Sequence, residues 1–269
     1  MKNYYGKNVF VTGASSGIGK ICAEELAKEG CNVIGAALGV VPTKKKIGKG
    51  TITLYPMDVT NLNDIENVFE QIDKIDIAVL CAGFGIAGPA EIMPFEYAKK
   101  QMDVNYFGVL NVCSKILPMM REQGHGLVIA ISSVGGRVAL PMQCHYSSSK
   151  YALEAYMEAV RIEMKKFNVK TCLIEPGDTK TEFTKNRKTY NPEGNPYFDV
   201  CNEAIKIIAH DEQHGKAPIT VAQEVMKVIG KKNPPVRVAV GFYYKFVCFL
   251  TKVLPSKFVD YLLGKIYLK

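Results

Sequence analysis

Short, continuous apolar runs alternate with amphipathic segments along most of this chain, and that alternation restricts the fold more than any other feature. NVFVTG, CNVIGAAL, IDIAVLCAG, GLVIAISS and VKTCLIE lack the in-out alternation of half-exposed strands. Runs of this kind belong to strands covered on both faces. Between them, SGIGKICAEELAKEG, LNDIENVFEQI, FEYAKKQMDVNYFGVLNVCSKILPMM, the long segment after Tyr146 and TVAQEVMKVIGKK carry apolar residues at helical spacing. The expectation is one α/β domain, a doubly wound parallel sheet of about seven strands with helices on both sides. Ligands of such sheets bind beyond the carboxyl ends of the strands. Thr12–Gly19, Asp58, Cys81–Gly83, Ser132–Ser133 and Pro176–Gly177 should therefore converge on one cleft.

Composition narrows the function. Eight cysteines show no C-x-x-C and no recurrent spacing, and several lie inside apolar runs. They read as buried free thiols of a reducing compartment, with no disulfide framework and no metal. The N-terminus lacks the apolar core of a signal peptide, so a cytoplasmic location is expected. The net charge of +8 is mainly lysine and forms no arginine–aromatic stripe, so no nucleic-acid partner is expected. The catalytic domain is placed at 1–241 and a helical tail at 242–269. That tail is apolar and basic and is broken by Pro255, so it is not a membrane span. Packing on the lid or in a subunit contact is its expected role, with peripheral membrane contact as the alternative.

TGASSGIG, Thr12 to Gly19, ends the first strand and opens the first helix. Glycines there allow a tight turn and close approach of a pyrophosphate, and the helix N-terminus offers N–H groups to it. A second feature is HYSSSK, in which Tyr146 precedes Lys150 by one helical turn. Chance alone supplies about 1.5 such pairs in a chain of this composition, and Tyr261–Lys265 is another. Requiring a serine thirteen residues before the tyrosine lowers the expectation to about 0.05. Ser133 satisfies it for Tyr146, whereas Tyr261 has Cys248 there.

TGASSGIG, Asp58-Val59, Ala82-Gly83, Asn105 in MDVNYFG, Ser133 and Tyr146-x-x-x-Lys150, in that order over about residues 8–181, resemble the short-chain dehydrogenase/reductase family. The resemblance implies a Rossmann-like fold, a catalytic set of Ser133, Tyr146, Lys150 and Asn105, and a nicotinamide cofactor. In that family pattern Ser133 holds the substrate oxygen against Tyr146, Lys150 favours the phenolate and bonds the ribose, and Asn105 positions a water. Cofactor contacts would come from Gly13, Ser15, Ser16, Gly17, Ile18, Gly19, Leu38, Asp58, Val59, Ala82, Gly83, Asn105, Tyr146, Lys150, Pro176, Gly177, Thr179 and Thr181. The family's selecting positions at the end of the second strand are Ala37 and Leu38, neither acidic nor basic. With no acid to repel a 2′-phosphate and with Lys44–Lys46 near, NADP(H) is expected over NAD(H).

A lid is expected over about 178–217, and its aromatic residues, with Leu140 and Met142, imply a bulky apolar substrate. Ser133, Leu140, Met142, Tyr146 and Phe183 are the candidate substrate contacts. SVGG-x-x-x-LP is similar to 17β-hydroxysteroid and retinol dehydrogenases of that family, which implies a steroid-like or bile-acid alcohol or ketone. Retinol or lipid substrates and acyl-thioester ketones are alternatives, as is a non-catalytic NAD(P) sensor. The resemblance also implies a homodimer or homotetramer.

Overall fold

The computed structural model describes residues 2–268. The elements run β1 Asn8–Thr12, α1 Gly17–Lys28, β2 Asn32–Ala37, β3 Thr43–Ile47, β4 Gly50–Pro56, α2 Leu62–Phe69, β5 Ile77–Leu80 and β6 Ile86–Ala87. They continue with α3 Phe95–Met102, α4 Gly108–Gln123, β7 Gly126–Ile131, α5 Cys144–Glu163, β8 Val169–Glu175, α6 Phe183–Asn186 and β9 Lys188–Thr189. The last are α7 Phe198–His214, α8 Ile219–Ile229, β10 Arg237–Ala239, α9 Phe242–Val253 and α10 Ser256–Tyr267.

The main sheet has the order β10-β8-β7-β5-β1-β2-β4-β3. Alternate residues of its central strands feed two separate cores. Val9 and Val11 join one with α1 and α8, while Phe10 joins the other with α2, α4 and α5. That two-sided burial is why these strands are continuously apolar in sequence.

The sheet has eight strands, not about seven. The additional one, β3, runs antiparallel to β4. Its TKKKI sequence has no apolar pattern because it is an exposed edge strand. Its register also removes the lysines from the carboxyl edge of the sheet. Lys44 lies opposite Thr53, itself level with Ile34, and Lys46 opposite Thr51, level with Asn32. At ~3.3 Å per residue, Lys44 sits roughly 10 Å back from Ala37 and Lys46 roughly 17 Å. The cluster thus lies on the outer strand, set back from the end of β2 where Ala37 and Leu38 stand. The long helix expected over 95–120 is likewise interrupted. Residues Asp103–Phe107 form a π-helical segment between α3 and α4, with Asn105 fully buried inside it.

At the amino edge of the sheet, Asp76 ties three strands together. Its carboxylate accepts from Asn8 N at 2.9 Å and Asn8 Nδ2 at 3.0 Å, and meets Lys74 Nζ and His125 Nε2 at 3.1 Å each. Its backbone bonds Asn8 O and Leu127 N, at the starts of β1 and β7. Burial alone would raise this carboxyl, but the Asn8, Lys74 and His125 bonds outweigh it and hold the group below its usual value. A depressed folded value makes its stabilisation complete above about pH 4 and lost as pH falls through that value. Asp76→Asn should therefore lower unfolding free energy by about 2 kcal/mol at neutral pH. In urea titrations the gap should narrow toward pH 3, and a gap independent of pH would assign the loss to shape instead of charge.

Candidate active site

The turn after β1 is shaped by contacts that only glycine tolerates. Gly13 has φ +65°, and a methyl group on it would lie 3.1 Å from Ala82 N. A methyl on Gly19 would sit 2.3 Å from the Gly13 carbonyl oxygen. Gly17 is different: a methyl there would make only ordinary contact with Thr181 Cβ at 3.7 Å, so its φ of +52° and not crowding is what favours glycine. The Thr12 hydroxyl accepts from Cys81 N at 3.0 Å and Ala82 N at 3.1 Å, joining the carboxyl ends of β1 and β5. Ser16 caps α1 in position, but its side chain makes no capping bond, and the first turn holds no acid. The helix's first N–H groups and positive end are thus left for an anion. This cradle fits the pyrophosphate of a dinucleotide.

Across the cleft, β7 ends at Ile131 and α5 carries Tyr146 and Lys150, both buried. Gly135 marks the meeting point of the site. A methyl there would lie 3.2 Å from Tyr146 Cε1, 3.4 Å from Ser133 Oγ and 3.4 Å from Leu140 Cδ1. Ser133 Oγ is oriented by accepting from Gly135 N at 3.0 Å. The Tyr146 ring packs edge-on against Phe183 at 5.7 Å. Lys150 Nζ donates to Ile131 O at 2.9 Å and lies 5.9 Å from the Tyr146 ring centre. Asn105 is held by Phe84 N and O at 3.1 and 3.0 Å, and its Nδ2 bonds Ser149 Oγ at 3.1 Å.

The protein's own groups do not lower the phenol. Burial pushes Tyr146 up to about 12, with the Ser133 hydroxyl pulling the other way and Glu212 adding to the rise. Burial also lowers Lys150 to about 8. The physical reason is that burial disfavours the charged form of both groups, the phenolate and the ammonium alike. At neutral pH the pair is therefore a protonated phenol beside an ammonium.

A cleft of about 300 Å³ joins the cradle to this pair. Its wall includes Gly13, Ser16, Gly17, Ile18, Gly19, Ala82, Gly83, Ser133, Leu140, Tyr146, Lys150, Pro176, Gly177, Thr179, Thr181 and Phe183. Asn105 stands behind that wall, as does Val59, whose side chain belongs to the core under α4. Ser15 is exposed, and Leu38 and Asp58 follow the ends of the paired strands β2 and β4, all outside the enclosed volume. Asp58 Oδ1 there accepts from Thr60 N at 2.8 Å. Met142 does not line the cleft. It adopts φ +59°, its carbonyl accepts from Gly88 N, and Gln143 takes its place in the wall.

Several wall residues carried no signal in the sequence, among them Asp178, Glu182, Glu212, Tyr244 and Tyr267. Glu212 pairs with Arg187 inside the lid and accepts from Thr184 Oγ1 at 2.6 Å. Tyr244 reaches back from α9 to bond Asp178 and covers Gly177. No local pattern marks partners so far apart in sequence.

Residues 7–191 match the family described as short chain dehydrogenase. The chain belongs to the short-chain dehydrogenase/reductase family. Among relatives of this dehydrogenase/reductase, 3-ketodihydrosphingosine reductase of Bacteroides thetaiotaomicron is 36% identical over 96% of this chain and 97% of its own. Retinol dehydrogenase 8 of Bos taurus is 28% identical over 93% of this chain and 86% of its own. A short chain dehydrogenase from Burkholderia cenocepacia in complex with NADP superposes with a TM-score of 0.75 at 23% identity, covering 96% and 98% of the two chains. A Burkholderia phymatum short chain dehydrogenase/reductase in complex with NAD gives 0.78 at 19%, covering 93% and 94%.

Gly19→Ala should weaken dinucleotide binding by at least about tenfold, since its methyl meets backbone that cannot rotate away. Fluorescence titration with NADPH and NADH would read this, and unchanged affinity would show that the turn has slack.

Proposed function

We propose that this short-chain dehydrogenase/reductase reduces the ketone of a long-chain apolar substrate carrying a cationic amine. The observation that carries the reading is the make-up of the cleft wall. Leu140, Phe183 and Ile208 supply apolar surface beside Tyr146, and the charged wall residues of the lid side are Asp178, Glu182 and Glu212. Burial raises Asp178 and Glu212 above their ordinary values, and a substrate ammonium beside them would favour their charged forms. The 3-ketodihydrosphingosine reductase relative agrees with this class. The steroid-like reading expected from the sequence is the rival, supported by the same Leu140 and Phe183. A bile-acid carboxylate would meet a wall that carries Asp178, Glu182 and Glu212, although Glu212 is already paired with Arg187, and that disfavours the subclass.

In this reading Ser133 and Tyr146 hold the ketone oxygen, and Tyr146 transfers its proton to that oxygen as the C=O bond becomes an alcohol. A nicotinamide cofactor, held by the Thr12–Gly19 cradle and the cleft wall, would supply the hydride chemistry. A phenol raised to about 12 stays protonated at neutral pH, which is the form the reductive direction needs. Lys150, still an ammonium below about 8, steadies the phenolate left behind, and the Ile131 carbonyl keeps its nitrogen in place. Asn105 holds the Phe84 backbone and the α5 residue Ser149, and so sets the height of Tyr146. A pure sensor would have no use for a proton donor at this position. The cofactor is assigned as NADP(H) on one ground, the absence of an acid at Ala37 and Leu38; the other assigned contacts are the cradle and wall residues above, with Leu38, Asp58 and Val59 toward the adenosine.

Tyr146→Phe should cut turnover by 10²-fold or more, on the order expected for losing a general acid, while leaving cofactor affinity nearly intact. Assays with NADPH and NADH on 3-keto sphingoid bases, ketosteroids, keto-bile acids and retinal would test class and cofactor together. Turnover of neutral ketosteroids but not of the amino ketone would overturn the substrate reading. The rate of reduction should be level below about pH 8 and fall above it as Lys150 loses its proton. A profile level through pH 10 would remove that charge from the mechanism.

A further inference from the structure

The two tail helices present opposite characters on their two sides. Inward, Cys248 is buried, the Tyr244 ring lies over Gly177, and Tyr244 and Tyr267 form part of the cleft wall. Outward, α9 leaves Phe242, Phe246, Phe249 and Val253 exposed at 85, 51, 58 and 57%. Their spacing of four, three and four residues makes one stripe along the helix. On α10, Phe258, Leu262 and Ile266 repeat every four residues and are also exposed, with Tyr261 beside them. Nothing in α10 is buried, and its packing is against α7 of the lid. By contrast, α8 turns Val221, Ala222, Val225, Val228 and Ile229 into the core.

Lysines flank both stripes. Lys245, Lys252, Lys257 and Lys265 are exposed, and the one acid of this segment is Asp260. Each helix has 12 residues, about 18 Å of length at ~1.5 Å per residue. That is short of the ~30 Å hydrocarbon core, so neither helix spans it. A second copy is a poor occupant of this face, because a two-fold contact would set the lysines of one chain against those of the other. An anionic lipid surface complements both the charge and the apolar stripe.

We infer that α9 and α10 form an interfacial docking surface for the headgroup region of an anionic lipid bilayer. The phenylalanines enter the boundary between headgroups and acyl chains, and the lysines meet the lipid phosphates. Because the same helices wall the cleft through Tyr244 and Tyr267, docking brings the cleft close to the compartment in which a long-chain substrate resides. That last step rests on the apolar substrate proposed above, whereas the docking itself does not.

The test is sedimentation of the full chain with vesicles of phosphatidylcholine alone or mixed with phosphatidylglycerol, without substrate. Wild type should partition onto the mixed vesicles, more weakly onto neutral ones, and release as salt rises. Phe246→Glu with Phe249→Glu should lower partitioning by at least about tenfold while NADPH binding persists, which shows that the variant is folded. Wild type left in the supernatant with both vesicle types overturns the inference. So does light scattering that shows a multimer broken by the double variant, with no vesicle binding by either form. Failure of every lipid ketone as substrate, with vesicle binding intact, would count against the proposed activity alone.

Discussion

The bond from the Lys150 amine to the Ile131 carbonyl holds the two halves of the cleft in register. It anchors α5 to the carboxyl end of β7, and so sets where Tyr146, one turn earlier, stands relative to Ser133. Close approach is made possible by Gly136, where a methyl would lie 3.2 Å from Lys150 Cβ, 3.2 Å from Glu154 Cγ and 2.9 Å from Ser132 Oγ. One further turn along α5, buried Glu154 belongs to a network with Arg237, Glu175 and Arg137. A buried lysine with a single neutral acceptor is costly to keep charged, and Glu154 behind it favours the charge without contacting it.

The segment 178–217 is attached to the rest of the structure at several points. β6 and β9 pair in parallel, Ile86 with Lys188 and Ala87 with Thr189, and Thr179 bridges to Lys216 at the lid's far end. Arg187, almost wholly enclosed, joins Glu212 of α7 and stacks its guanidinium 5.8 Å from the Phe183 ring that touches Tyr146. Charge inside the lid is thus linked through one aromatic contact to the phenol. The tail adds a further attachment where Tyr244 donates to Asp178.

Much of this was legible from sequence because burial leaves a mark. Strands covered on both faces must be apolar throughout, and Gly13 and Gly19 of the β1–α1 turn have no substitute at their contact distances. The rest lacked such a mark for identifiable reasons. β3 is held mainly by backbone pairing on an exposed edge, with Ile47 alone packing on the core, so its lysines look like a loop. Met142 is turned from the cleft by a left-handed backbone, which side-chain type does not announce. The direction of the Tyr146 shift follows from enclosure, and enclosure depends on Phe183 of the lid and its neighbours far along the chain. Asp178, Glu212 and the tail tyrosines meet only after the chain has folded.

The exposed lysine strand has a consequence for the whole sheet. An open β-edge is a template on which another chain can extend the ladder, and the usual protections are charge and brevity. Here one border is β3, with three consecutive lysines, and the other is β10, only three residues long. A partner strand approaching either border meets a row of ammonium groups or too few hydrogen-bonding sites to register. The sheet is therefore closed to growth at both sides, which leaves a chain this rich in apolar strands guarded against stacking edge to edge with its own copies.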